Sequence, residues 1–270
     1  MKRIELTNMP NTRDLSYIYN KDGKQIKPYK LIRSGATAQA TTDDIAILVN
    51  QYHLKRVIDF RTLHEINEQP DYLIDGIIYI FNPIIETFRA GVTHEKDIYK
   101  QKPKNQLEWL ARTIEEMNFT VKDNMKFIYD KILSDEFSIK HYQSFFHILL
   151  EETDGATLYH CSAGKDRVGI GTILLLSALD VDRQVIIDDY LFTNNCYQKD
   201  IDKIMEDMKQ QNFKDSIIEQ IPYCQGVCKE YVEHIFDIID NKHHGINSYL
   251  HDVLKLTDAD LNKLKQIYLK

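Results

Sequence analysis

Apolar residues along this chain follow two alternating periods. Short runs rich in β-branched and aromatic residues occur at 55–60, 77–81 and 156–159. Runs of this length bounded by polar or turn residues predict buried strands, and Asn82-Pro83 closes the second. Between and after them, apolar positions recur every three or four residues, the spacing of amphipathic helices. The stretch beginning Thr41-Thr42-Asp43-Asp44 opens with capping residues and early acids, which predicts a helix to about Tyr52. The same period predicts helices over 107–117, 121–133, 139–151, 168–179 and 182–195. From 196 onward the pattern stays helical, with a last capping region at Thr257–Asp260. Residues 4–33 read as short strands around turns, and Asp22-Gly23 between alternating apolar positions predicts a hairpin. Strands alternating with helices predict an α/β fold with a central, mainly parallel sheet flanked by helices.

Residues 84–138 have a different texture, with charged residues interleaved among helical stretches. A segment this long between two core strands reads as an insertion or lid. Trp109 and the nearby tyrosines either stack on a substrate or hold these helices to the core, and the second reading is preferred. No repeat, low-complexity tract or linker divides the rest, so residues 1–270 read as a single domain.

Composition narrows the function classes. With 270 residues, 43% of them hydrophobic, a sizeable core is available. A net charge of −7 lacks the basic field of general nucleic-acid binders, so no nucleic-acid partner is expected. No apolar run approaches the length of a membrane span. Four scattered cysteines and a start without a secretory apolar stretch make a reducing, cytoplasmic location the default expectation.

The chemistry concentrates at His160-Cys161-Ser162-Ala163-Gly164-Lys165-Asp166-Arg167. A cysteine at a strand end, a short loop and an arginine opening a helix bring unpartnered backbone N–H groups to one point, which favours a dianion. The same field favours the Cys161 thiolate as a nucleophile, and the Arg167 fork suits two phosphate oxygens. Competing motifs fail. Cys224-x₃-Cys228 with His234 falls short of a four-ligand zinc pattern. Gly164-Lys165 lacks the earlier glycine and following Ser/Thr of a Walker loop. No metal and no other cofactor is expected. At the end of the 55–60 run, Asp59 and Arg61 should face the ligand crevice of an open sheet. An Arg61–Glu65 ion pair is an equally good reading of that charged pair.

His-Cys, five residues and Arg resembles the signature loop of the cysteine-dependent protein tyrosine phosphatase superfamily. The form Cys-x-Ala-Gly-Lys-Asp-Arg resembles a bacterial subgroup of tyrosine and phosphoinositide phosphatases with mycobacterial and Listeria members. Further matches are Asn11-x-Arg13-Asp14-Leu15, Arg33-Ser34-Gly35-Ala36, Asp59-x-Arg61-x₃-Glu65 and Asp189-Tyr190-Leu191-x-Thr193-Asn194. Alone, Arg13 and Arg33 would read as surface charges or loop clamps. Some members of this subgroup are exported, so a missing signal peptide does not bar export.

The resemblance implies a phosphatase-like fold, a mobile helical lid at 84–138, and a phosphotyrosine protein or phosphoinositide as substrate. It implies Cys161 as nucleophile and Ser162, Ala163, Gly164, Lys165, Asp166 and Arg167 as the phosphate-binding ring. His160 is expected to shape the loop and support the thiolate; Asp189, Thr193 and Asn194 are expected to be structural, with hydrogen bonds that buttress the loop as the other reading. No Trp-Pro-Asp acid element is present, since Leu110 follows the sole tryptophan, Trp109. That leaves Asp166, the acid position of the resembled subgroup, with Asp59 as the alternative. Lys165 inside the loop suits a substrate with extra negative charge, unless it pairs with a neighbouring acid. Val168 replaces the usual Ser/Thr after the arginine, which implies a slow second step. The rival reading is a catalytically weak phosphate-binding module.

Overall fold

In the computed structural model, which describes residues 3–87, 92, 104–117 and 119–270, the short apolar runs pair as one sheet. The first half contains β1 (Arg13–Asp14), β2 (Leu31–Ser34), α1 (Thr42–Asn50), β3 (Leu54–Asp59), α2 (Leu63–Glu68) and β4 (Ile78–Phe81). Next come α3 (Gln106–Glu115), α4 (Val121–Ser134), α5 (Glu136–Leu150), β5 (Ala156–His160) and α6 (Asp166–Ala178). The remainder is helical: α7 (Arg183–Gln210), α8 (Asp215–Ile218), α9 (Ile221–Gln225), α10 (Lys229–His243) and α11 (Ile246–Ser248). A π-helical turn (Tyr249–Val253) and α12 (Asp258–Tyr268) complete the chain. Among the described residues, no helix is long and apolar enough to cross a membrane.

Strand order is β1-β2-β5-β3-β4, antiparallel only between β1 and β2. Side chains alternate between two apolar layers, as the strand period demands. Ile32, Val57 and Leu158 join Leu48 of α1 and the N-terminal Ile4 and Leu6 in the smaller layer. Leu31, Ile58 and Tyr159 face the larger layer, which takes in α3 to α12. Both faces of the central strands are therefore covered, as parallel strands require. The register pairs Ser34 with His160 and Asp59 with His160. The carboxyl ends of β2, β5 and β3 thus finish side by side, and the loop after His160 leaves from the middle of that edge.

Helix starts follow the sequence signals. Reciprocal capping boxes link Thr41 with Asp44, Thr62 with Glu65 and Thr257 with Asp260. The helix α6 is buried on all sides, and two glycines admit its neighbours. A Cβ at Gly169 would sit 2.9 Å from the Tyr190 ring, and one at Gly171 3.2 Å from Phe60. The Asp22-Gly23 turn closes with Asn20 N–H donating to the Lys24 carbonyl at 2.8 Å, Gly23 taking φ +76°.

Three expectations need correction. The 77–81 run forms a strand, yet β4 lies at the sheet edge, with Ile78 60% and Phe81 51% exposed. Periodicity alone cannot tell an edge strand from a central one. The helix begun at 182 continues unbroken to Gln210, and the one expected over 139–151 starts at Glu136. Within the 84–138 segment, Leu110, Met125, Ile128, Tyr129, Ile132 and Leu133 all belong to the main core. Trp109 is buried there too, holding α3 to the body. Residues 88–91, 93–103 and 118 of that segment lie outside the described residues.

Phe60, immediately after β3, joins sheet to helices. Its ring packs against Phe145 at 5.1 Å and against Tyr142 and Tyr159 at 6.1 Å between centroids. Phe60→Ala should lower the unfolding free energy by about 3–5 kcal/mol through lost burial and the cavity left behind, read from the midpoint of urea denaturation.

Candidate active site

Residues Cys161–Lys165 form the turn between β5 and α6. Gly164 adopts φ +64°, and a Cβ there would meet the Ser34 carbonyl oxygen at 2.4 Å, so only glycine fits. The loop's carbonyls are tethered outward. Ser162 O accepts from the Ala36 N–H at 3.0 Å. Ala163 O accepts from Asn11 Nδ2 at 3.0 Å and from the Tyr197 hydroxyl at 2.7 Å. Gly164 O accepts from Asn11 Nδ2 at 3.0 Å and Arg33 Nη2 at 2.9 Å. A planar peptide opposes its C=O and N–H, so these tethers turn the N–H groups of 163, 164 and 165 toward the concave side. Cys161, the first residue of the loop after β5, is 2% exposed.

Behind the loop stand the N-terminal arginines, both fully buried. Asp189 of α7 accepts from Arg13 Nε at 3.0 Å and Arg33 Nη1 at 2.6 Å. It also accepts from the Tyr17 hydroxyl. Arg13 in turn donates to the Asn11 side chain, which aims the Asn11 amide at the loop. Burial works to raise the Asp189 pKa, but Arg13 and Arg33 hold it far below the usual carboxylate range. Two guanidiniums against one carboxylate leave a net positive charge under the phosphate cup. Thr193 accepts weakly from Arg13, 3.4 Å away. Asn194 bonds Val227 through both its amide atoms at 2.8 and 2.9 Å, so it fixes the start of α10 and not the loop.

Arg167 is completely buried. Its Nη1 and Nη2 donate to Glu65 Oε2 and Oε1 at 2.6 and 2.9 Å, a two-pronged pair. Nη2 also meets the Val92 carbonyl at 3.0 Å. Burial opposes its charge, but Glu65 outweighs that and raises the Arg167 pKa. The same Glu65 carboxylate caps α2 by accepting from Thr62 N–H at 2.9 Å and accepts a hydrogen bond from the Ser162 hydroxyl. The expected Arg61–Glu65 pair is replaced by these contacts. Arg61 instead grips Asp59 at 2.8 Å and Asp71 at 2.9 Å, because the turn after β3 folds it back toward the strand end.

The other candidates are placed as follows. Asp166 opens α6, 3% exposed, and its Oδ1 accepts from the Tyr129 hydroxyl of α4 at 2.5 Å. Tyr129 also touches the Tyr190 hydroxyl at 3.1 Å. Lys165 Nζ donates to the Cys224 carbonyl at 2.6 Å and stands 3.4 Å from Asp166. It is 2% exposed, so the pairing with a neighbouring acid is the arrangement found. Asp59 takes the Arg61 backbone N–H at 2.9 Å and its Nε and Nη2 at 3.0 and 2.8 Å. It therefore faces Arg61 and His160. Val168 is fully buried in the first turn of α6.

His160 Nε2 lies 3.0 Å from Asp71 Oδ2, and Nδ1 3.8 Å from Asp59 Oδ1. Asp59, Asp71 and His160 bring ligand-type atoms within 4.8 Å of one another. Arg61 occupies both carboxylates, however, so this donor set works as an ion-pair network. Sequence reading passed over Asp71, Tyr129, Tyr197 and Tyr17. Asp71 follows Gln69-Pro70 with no periodic signal, and the tyrosines look like ordinary core positions.

Beside the loop opens a cleft of 660 Å³. Gly35, Ala36, Ser162 and Ala163 line one side, and Asn8, Leu107 and Tyr197 are among the residues of the others. Asp189→Asn would leave Arg13 and Arg33 buried against a neutral group. It should cost about 3–5 kcal/mol of stability, measured by denaturant titration, and loosen the loop enough to depress phosphate binding.

The tyrosine phosphatase family matches over residues 4–270. A Cupriavidus necator protein bearing a provisional tyrosine-protein phosphatase name is 24% identical over 259 residues, 96% of this chain and 86% of that protein. The triple specificity protein phosphatase PtpB of Mycobacterium tuberculosis is 32% identical over 121 residues, 42% of this chain and 43% of its own length. With the Cys161–Arg167 loop at the carboxyl end of the central strand and a family match running almost end to end, the chain belongs to the tyrosine phosphatase family.

Proposed function

We propose that this phosphatase hydrolyses phosphotyrosine through a phosphocysteine intermediate. The observation that carries the reading is the tethered loop: outward carbonyls, inward amides, a cysteine at its start and a buried arginine beside it. The Cys161 thiolate attacks phosphorus in line, forming the S–P bond as the bond to the phenolic oxygen breaks. Loop amides and Arg167 stabilise the equatorial oxygens by position and charge. For that, Arg167 must offer the phosphate an edge of the guanidinium that Glu65 leaves in place and that the Val92 carbonyl now meets.

An acid protonates the leaving phenolate. Its carboxylate then takes a proton from the water that attacks phosphorus and releases the thiolate. Asp166 is our assignment. Both Asp59 oxygens are bound to Arg61, which makes Asp59 the weaker choice. The 84–138 segment serves as the lid over this pocket, a reading supported by Tyr129 on Asp166 and Val92 on Arg167.

Phosphoinositide monoesters are the second substrate class, favoured by the specificity breadth in the name of the mycobacterial relative. Lys165 is engaged by Cys224 and Asp166, so phosphotyrosine ranks first. Phosphate release from phosphotyrosine peptides and a phosphoinositide panel tests both classes. Wild type should release phosphate and Cys161→Ser should not. Equal binding by the two with no release from either would instead make the protein a binding module.

Asp166→Asn should lose about 10²–10⁴-fold in kcat, the usual worth of a general acid–base group. Retention of the wild-type kcat would move the role to Asp59. Val168 supplies no hydroxyl to the departing thiolate, so rapid mixing should show a burst of leaving group. Val168→Thr should speed the steady state; absence of both effects would remove Val168 from the rate argument.

A further inference from the structure

A largely buried group of four charges, Asp59, Arg61, Asp71 and His160, gathers where β3 and β5 end side by side, and Asp71 is its member without a role. Asp71 Oδ2 lies 3.0 Å from His160 Nε2. Its Oδ1 lies 2.9 Å from Arg61 Nη2 and accepts from the Thr37 N–H at 3.1 Å. The Thr37 turn follows directly on Gly35-Ala36, and the Ala36 N–H holds the Ser162 carbonyl. One carboxylate therefore ties the residue before the nucleophile to the segment that tethers the loop after it.

We propose that Asp71 is a positioning residue of the phosphatase reaction, docking the His160 ring and balancing a positive imidazolium next to Cys161. This inference rests on the phosphatase reading of the loop. The charge count supports it. The charged groups facing His160 are Asp59 from β3, Arg61 from the following turn and Asp71 from the loop after α2. Its Nδ1 lies 3.2 Å from the Cys161 carbonyl oxygen, a contact that a doubly protonated ring can make as donor while Nε2 faces Asp71. Two carboxylates and one guanidinium leave a deficit of one positive charge, and an unbalanced buried charge costs several kcal/mol. A proton on His160 closes the count. Burial by itself would strip that proton, but Asp59 and Asp71 outweigh burial and raise the His160 pKa. The charged ring then adds to the field that holds the nucleophile ready, alongside Arg167 and the loop amides.

The pH dependence follows with a definite sign. A histidine raised in the folded state contributes stability that is fully present below its ordinary pKa, and loses it as pH climbs through the raised value. Activity that needs the imidazolium should fall over the same climb.

The test follows His160 by NMR in the full chain, its signal assigned with His160→Gln, together with the pH profile of kcat/KM on a phosphotyrosine peptide. In wild type His160 should titrate above the ordinary histidine range. In Asp71→Asn the His160 midpoint and the alkaline limb should both move to lower pH by about one unit, a tenfold loss of kcat/KM on that limb. Asp71→Glu, which keeps the charge, should restore most of it. A wild-type His160 that titrates at or below the ordinary value overturns the proposal, even where Asp71→Asn does not fold. So does an unmoved midpoint in Asp71→Asn, or identical behaviour of the Asn and Glu variants. If wild type releases no phosphate from the peptide, the functional reading fails by itself, and the NMR titrations still decide whether Asp71 holds the His160 charge.

Discussion

A peptide unit points its carbonyl and its amide in opposite directions, and in this protein that constraint turns consecutive amides of the Cys161–Lys165 loop to one side. Four donors from three separate parts of the chain pull on three consecutive carbonyls: Asn11, Arg33 with the nearby Ala36 amide, and Tyr197. No side chain need point into the cup for its amides to face a phosphate. The positive φ at Gly164 lets the loop turn tightly enough for its carbonyl to reach Arg33 and Asn11. Without those outer donors the same eight residues would be an ordinary strand-to-helix connection.

The donors are held by buried charge in three sets. Asp189 takes Arg13 and Arg33, Glu65 takes Arg167, and Asp59 and Asp71 take Arg61 and His160. Ion pairs of this kind add little net stability compared with apolar packing, since removing each ion from water is costly. What they supply here is geometry. An arginine with both prongs engaged cannot rotate, and the His160 ring is set between Asp71 on one nitrogen and the Cys161 carbonyl on the other. The first set also leaves an uncompensated positive charge beneath the loop, which favours a dianion above it. The second fixes the plane of the Arg167 guanidinium against Glu65.

The helical segment between β4 and β5 is part of the same machinery and not a separate appendage. Its Tyr129 reaches Asp166 while its apolar residues complete the main core. Val92 reaches Arg167 from the same segment. Lys165 is drawn the other way, to Cys224 and Asp166, so a cation within the signature loop is turned into its own framework. The chain's family shares this loop's setting, while the residues around the loop decide what Lys165 and Asp166 touch.

Much of this was legible in the residues themselves. The two periods of apolar positions marked the helices and the parallel strands, and the Cys161–Arg167 spacing marked the cup, because local propensity and short-range spacing are properties of the chain alone. The N-terminal arginines, Asp59, Glu65 and Asp189 were each visible as motif members, but their partners were not. Glu65 pairs with a residue 102 positions away and Asp189 with residues 156 and 176 away, distances over which charge pattern carries no register. Asp71 had no signal at all, and the edge position of β4 could not be read from its apolar run. Which opposite charges meet is decided by strand order and register, and these follow from the packing of both sheet faces together. The sequence determined the chemistry that is available; the tertiary structure decided which groups face it, because only packing brings distant charges into a shared low-dielectric interior.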